Sequence, residues 1–135
     1  MTGTPDVTAI LLIAHGSRHG PANDDLHELA ARLEACGEYP IVEPSFLELA
    51  DPDITTGADR CVARGAHRIL MIPYFLSAGV HLRRDLTAAR DALTERHPRV
   101  SFVLGSALGP DPWLDRLVIE RIRQTASEIG DSRRA

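Results

Sequence analysis

The sequence predicts an α/β protein: a four-stranded parallel sheet in three layers, with helices on both faces. Three observations predict it. Four short apolar runs alternate with four helix-length amphipathic segments. The runs are apolar at successive positions, as strands buried on both faces require. Start and stop residues punctuate the segments in a βαβαβαβα order, which implies right-handed crossovers between parallel strands.

Thr8–Ala14 (TAILLIA) is the first strand. After His15–Ala22, Asn23 is positioned to cap a helix running to about Cys36. Leu26, Leu29, Ala30 and Leu33 mark its buried face and Gly37 ends it. Ile41–Leu49 reads as strand two. Pro44 cannot donate to a ladder and so places this strand at a sheet edge. Asp51-Pro52 is a cap followed by a first-turn proline, opening helix two, which Gly65 stops after Arg64. Arg68–Tyr74 (RILMIPY) is strand three. Gly79–His81 opens helix three, which ends at about Arg96 before His97-Pro98. Arg99–Gly105 (RVSFVLG) is strand four. Asp111-Pro112 repeats the cap-then-proline device, and helix four carries Leu114, Leu117, Val118 and Ile122 on one face. The chain, 1–135, reads as one domain with its core over about 8–125 and a polar, frayed tail over 130–135.

Composition narrows the function classes. The chain is 44% hydrophobic and 25% charged, with a net charge of -4, so no basic field attracts nucleic acid. Aromatic residues, at 4%, are too few for a base-stacking surface. No apolar run nears the roughly 20 residues of a membrane span. Met1–Val7 lacks the basic residues and apolar core of a signal peptide. Cys36 and Cys61 lie in helical segments without metal-site spacing, and read as free thiols of a cytoplasmic protein.

In open α/β sheets ligands bind beyond the carboxyl ends of the strands. His15 follows strand one directly, Glu48 lies at the end of strand two, Phe75–His81 follows strand three and Ser106–Gly109 follows strand four. A lone histidine after a strand is commonly only a hydrogen-bonded loop residue, but two histidines and a carboxylate on one edge form a candidate site. Glu48 also suits a cap for helix two or a solvated acid. Arg18, Arg83 and Arg84 are near that edge and can fork onto carboxylates. Of the other histidines, His27 is on helix one, His67 is on the opposite edge, His97 ends a helix and His19 lies in the first loop. Gly16, Gly79, Gly105 and Gly109 fall in loops of the same edge, where they serve turns with positive φ or close approach of a bulky ligand. There is neither a GxxxxGK[ST] nor a GxGxxG after strand one, which disfavours a nucleotide site. Arg18-His19-Gly20 matches the Arg-His-Gly box of histidine phosphatases, but four residues past the strand instead of at its end.

Three segments resemble the small sirohydrochlorin chelatases, the short cobaltochelatases related to sirohydrochlorin ferrochelatases. They are Leu11–Arg18 (LLIAHGSR), Phe46–Ala50 (FLELA) with Asp51-Pro52, and Pro73–Asp85 (PYFLSAGVHLRRD). The third is the most specific. Relatives often follow the acidic residue of that stretch with Ile-Pro, where this chain has Leu86-Thr87.

The resemblance implies a chelatase-type fold and a metal-inserting lyase. It implies that His15 and His81 are the paired metal-handling residues. Neutral imidazole suits borderline ions such as Co²⁺, Fe²⁺ and Ni²⁺ and also accepts protons near neutrality. The two histidines are therefore expected to share metal delivery and acceptance of pyrrole protons. Glu48 would be a second base or a carboxylate ligand, and Asp85 either an orienter of His81 or a first-turn acid that suits the helix dipole. Gly16, Ser17, Arg18, Ser77, Ala78, Gly79, Val80 and Ser106 are expected around a polycarboxylated sirohydrochlorin-type tetrapyrrole, with Leu76, Val80 and Leu108 against its face. Backbone amides of Gly16 and Ser17 are among the groups expected to receive carboxylates. The metal, with Co²⁺ favoured over Fe²⁺ or Ni²⁺, is a substrate, and no permanently bound cofactor is expected. Since two-lobed chelatases are twice this size, a homodimer is implied. The rivals are a non-catalytic metal or tetrapyrrole carrier of the same fold and, far behind, a phosphatase using His19.

Overall fold

The computed structural model describes residues 6–134, and side-chain surroundings as far as residue 130. The reading of Met1–Val7 thus lies, for residues 1–5, outside the described residues, as does Ala135 at the end of the tail. The elements follow the order β1 (Thr8–Ala14), α1 (Gly20–Ala35), β2 (Ile41–Phe46), α2 (Ile54–Ala63), β3 (Arg68–Pro73), α3 (Val80–Arg96), β4 (Ser101–Leu104) and α4 (Pro112–Arg134). The sheet has four parallel strands in the order β2-β1-β3-β4. Pro44 sits on edge strand β2, as its missing N–H requires.

Side chains alternate between two apolar layers. Ala9, Leu11, Ile13, Ile69, Met71 and Phe102 face Ala58 and Cys61 of α2 and Leu86 and Leu93 of α3. Ile10, Leu12, Val42 and Phe46 face Leu26 and Ala30 of α1. Burial pushes the Cys61 thiol up to about 12, so it is an inert core group, while Cys36 is an exposed free thiol. No helix among the described residues is long and apolar enough to cross a membrane.

Several boundaries differ from the sequence reading. Strand β3 ends at Pro73, one residue before Tyr74, and β4 spans only Ser101–Leu104 within the expected Arg99–Gly105. Helix α1 starts at Gly20 rather than at Asn23, because Pro21 fits its first turn and has no N–H to leave unpaired. Strand β2 stops at Phe46 instead of Leu49, because the chain turns through Leu49 at φ 64. Helix α2 is capped by Asp53, whose carboxylate accepts from Thr56 N–H at 2.8 Å, and not by Asp51. The tail expected to fray over 130–134 has helical backbone as far as Arg134, because Gly130 does not take the left-handed conformation that ends helices. At the start of α4, Asp111 caps as expected, accepting from Trp113 N–H at 2.8 Å.

A polar lock ties α2 to the end of α3. Arg96 donates to both oxygens of Asp59 at 2.9 and 2.8 Å, and the His97 ring nitrogen lies 2.7 Å from the same carboxylate. The Arg96 guanidinium, aided by His97 and opposed by partial burial, holds the Asp59 carboxyl down to about 2. Because the folded value lies below the unfolded one, near 4, this stabilisation is present above about pH 4 and is lost as pH falls towards 2. The pair is partly exposed, so Asp59→Asn is expected to cost no more than about 1 kcal/mol at neutral pH. Urea midpoints should show the variant closing on wild type as acid protonates Asp59. A gap that persists at about pH 2 would assign the loss to packing instead.

Candidate functional site

The chain leaves β1 for β2 on one side and returns to β3 on the other, so the strand order reverses between β1 and β3. Such a switch point opens a crevice at the carboxyl edge, where flanking loops diverge. His15 stands on one side of it and Tyr74–Gly79 on the other. Backbone pairing extends past the strands: Leu47 N–H donates to Ala14 O at 2.9 Å and Glu48 N–H to His15 O at 3.0 Å. The two strand exits therefore run together, and His15 Nε2 meets Glu48 Oε1 at 2.8 Å. Both side chains are more than half exposed, at 60% and 58%, so the pair is open to a ligand.

Gly16 makes this approach possible. It adopts φ +100, and a Cβ there would lie 1.8 Å from Glu48 O. Of the four edge glycines expected in turns, only Gly16 has positive φ. Gly109 answers a close approach instead: its Cβ would lie 2.2 Å from Leu76 O.

A cleft of about 470 Å³ is lined by His15, Leu47, Glu48, Phe75, Leu82 and Asp85. The structure thus brings His15 and Glu48 together and sets Asp85 beside them. His81 is exposed on the first turn of α3, one turn before Asp85, on the same edge but outside the lining of this cleft. Among the described residues, no three His, Cys, Asp or Glu side chains are grouped to hold a metal ion.

A second hollow, about 480 Å³, opens between the exits of β3 and β4. Ser77, Ala78, Ser106 and Arg83 line it. Leu108 N–H donates to Phe75 O at 2.9 Å and joins the two loops. Gly79 caps α3 with its backbone, and Val80 stands 63% exposed beside Arg83 and Arg84. Leu76 is exposed and Leu108 half-buried.

Arg18 and His19 are exposed, and His19 is the N-cap residue of α1. The remaining histidines are elsewhere, as expected. His67 Nδ1 accepts from Val7 N–H at the opposite edge, the His27 ring lies against Phe46, and His97 belongs to the Asp59 lock.

Sequence reasoning missed the role of Asn23. Its Oδ1 accepts from Ser17 N–H at 2.9 Å while its Nδ2 donates to Ser17 O at 2.7 Å. One carboxamide thus clamps the loop after His15, and the Ser17 amide expected to receive substrate is already engaged. The signal was present: asparagine matches both polar groups of one peptide unit, and such bonds compete with helix capping. Asn23→Ala is expected to cost about 1–2 kcal/mol. It should also speed hydrogen exchange at Ser17 N–H more than in the core of β1. Unchanged exchange there would show that the clamp does not restrain the loop.

Comparison with known proteins agrees with this architecture. A family model described as CbiX matches residues 9–125. The chain is 33% identical over 131 residues to the chloroplastic sirohydrochlorin ferrochelatase of Arabidopsis thaliana, covering 96% of this chain and 58% of that protein. It is 27% identical to the sirohydrochlorin cobaltochelatase of Methanopyrus kandleri, covering 90% of this chain and 99% of that one. The crystal structure of the sirohydrochlorin chelatase SirB from Bacillus subtilis subspecies spizizenii, in complex with cobalt, superposes with a TM-score of 0.80 at 30% identity. That match covers 87% of this chain and 50% of the other. The chain therefore spans about half the length of the Arabidopsis and Bacillus relatives, and nearly all of the Methanopyrus one. With the family model matching residues 9–125, the chain belongs to the CbiX family.

Proposed function

We propose that this chain inserts a divalent metal into a sirohydrochlorin-type tetrapyrrole, with Co²⁺ favoured over Fe²⁺ or Ni²⁺. The observation that carries the reading is the exposed His15–Glu48 pair, 2.8 Å apart, at the switch point of a parallel sheet. An imidazole beside a carboxylate offers nitrogen and oxygen donors to a borderline ion. The same two groups accept protons, and metal insertion must remove two from the pyrrole nitrogens. His81, on the facing loop edge, joins His15 in metal delivery and proton acceptance. Asp85, one turn along α3 and lining the cleft, orients it.

The substrate's carboxylates are received by the rim. Arg18, the Ser17 hydroxyl and Gly16 serve on the β1 side. Ser77, Ala78, Gly79 and Ser106, with Arg83, serve around the second hollow. Val80 and Leu76 offer apolar surface to the macrocycle. The protein works as a homodimer, a second copy supplying what the longer relatives hold in one chain. Its free thiols suit a reducing cytoplasm.

The names of relatives include both cobalto- and ferrochelatases, so the metal is set by experiment. The assay follows the absorbance of free sirohydrochlorin with Co²⁺, Fe²⁺ and Ni²⁺ in turn. Many product molecules per protein, fastest with Co²⁺, are expected. One product per protein would make the chain a carrier, and none with any metal would refute the proposal.

A further inference from the structure

The loop that carries Glu48 also holds a leucine in a strained conformation. Leu49 has φ 64, alone among the described non-glycine residues in taking a positive value. Glycine adopts that conformation freely and asparagine readily, whereas a leucine adopts it against steric resistance. The surrounding backbone imposes it. Phe46 N–H donates to Pro52 O at 2.9 Å and closes the loop between them, while Glu48 N–H is held by His15 O at 3.0 Å.

Core packing does not account for the leucine. Leu47 packs against the layer formed with α2 and α3, and Ala50 against the layer formed with α1. Leu49, between them, belongs to neither layer and is 50% exposed. A turn alone would be served better by glycine or asparagine. Strain that the core does not repay marks a position kept for another purpose.

The place of Leu49 in the fold supplies that purpose. The strand order sets the exit of β1, with His15, between the exits of β2 and β3. Leu49 follows Glu48 directly, so it stands on the β2 flank of the His15–Glu48 pair. On the other flank, the exit of β3 leads through Tyr74 and Leu76 to Val80, all exposed. Exposed apolar side chains thus flank a polar pair on both sides. Such an edge suits a flat ligand that is apolar across its ring and charged at its rim, with few polar groups fixing its orientation. We infer that Leu49 is a substrate-binding residue that packs on the macrocycle from the β2 side, opposite Leu76 and Val80. Held between the two flanks, the pyrrole nitrogens are centred over His15 and Glu48. This role deepens the proposed function and rests on it.

The test separates contact with the ring from support of the loop. Leu49→Asn accepts positive φ but removes the apolar surface, whereas Leu49→Met keeps that surface. Metal-free sirohydrochlorin is titrated into each protein and followed by its absorbance, with urea midpoints measured alongside. Leu49→Asn is expected to weaken tetrapyrrole binding about tenfold, the effect of losing a partly buried leucine contact. Its urea midpoint should equal or exceed that of wild type, because asparagine relieves the strain. Leu49→Met should bind within about twofold of wild type. The tenfold ratio should persist as salt is raised, since screening does not act on an apolar contact. Wild-type binding by Leu49→Asn overturns the inference and leaves the proposed function standing. A midpoint that falls together with binding assigns the leucine to holding the loop, and a ratio that vanishes in high salt assigns the loss to charge at the edge; either overturns the contact. A wild type that does not bind metal-free sirohydrochlorin overturns the proposed function and this inference together.

Discussion

Alanine at His15 is expected to lower the rate of metal insertion by about 10²–10⁴, the range lost when a positioned acid–base group is removed. The fold should survive, because the ring is 60% exposed and its recorded partner is Glu48. His81→Ala should fall within the same range, since the two imidazoles divide delivery of the metal and acceptance of the protons. Glu48→Gln tests the pair differently. It keeps an acceptor oxygen beside His15 but removes the negative charge, so a fall of about tenfold is expected, mainly in kcat. The measurement is initial-rate absorbance of free sirohydrochlorin with each variant at saturating metal. If both alanine variants insert metal at the wild-type rate, the assignment of these histidines is wrong.

The second large effect is structural. Gly16→Ala places a methyl group 1.8 Å from Glu48 O, in a backbone conformation that costs an L-residue about 1–2 kcal/mol even in open space. The loop can relieve the overlap only by moving away from β2, which breaks the Glu48 N–H to His15 O bond. That adds about 1 kcal/mol. A total loss of about 2–3 kcal/mol is expected as a lower urea midpoint with an unchanged slope. Activity should fall further than stability does, because the displacement separates His15 from Glu48. A variant as stable as wild type would mean that the loop accommodates a side chain without strain.

Most of the architecture was legible because its signals are local. The apolar runs at Ala9–Ala14 and Ile69–Pro73 send successive side chains to two apolar layers, so they show apolar residues at every position. Pro44 told the edge strand correctly from one missing donor. Helix starts were less legible because several good caps compete within a few residues. Asp51 and Asp53 are chemically equal, and only the turn through Leu49 decides between them. The site was legible as an edge and not as contacts. The His15–Glu48 bond depends on how the exits of β1 and β2 pair, which neither segment encodes alone.

The Asp59–Arg96–His97 lock joins α2 to the far end of α3, away from the carboxyl edge that carries His15 and Glu48. The acid-labile part of the stability and the proposed chemistry are therefore wired to different ends of the molecule. Asp59 keeps its charge down to about pH 2, so rate loss met well above pH 4 is not the release of this lock. A pH–rate profile on the acidic side can thus be read as titration of the reacting groups and their substrate. The two ends can also be altered independently, one for stability at neutral pH and the other for the proposed chemistry.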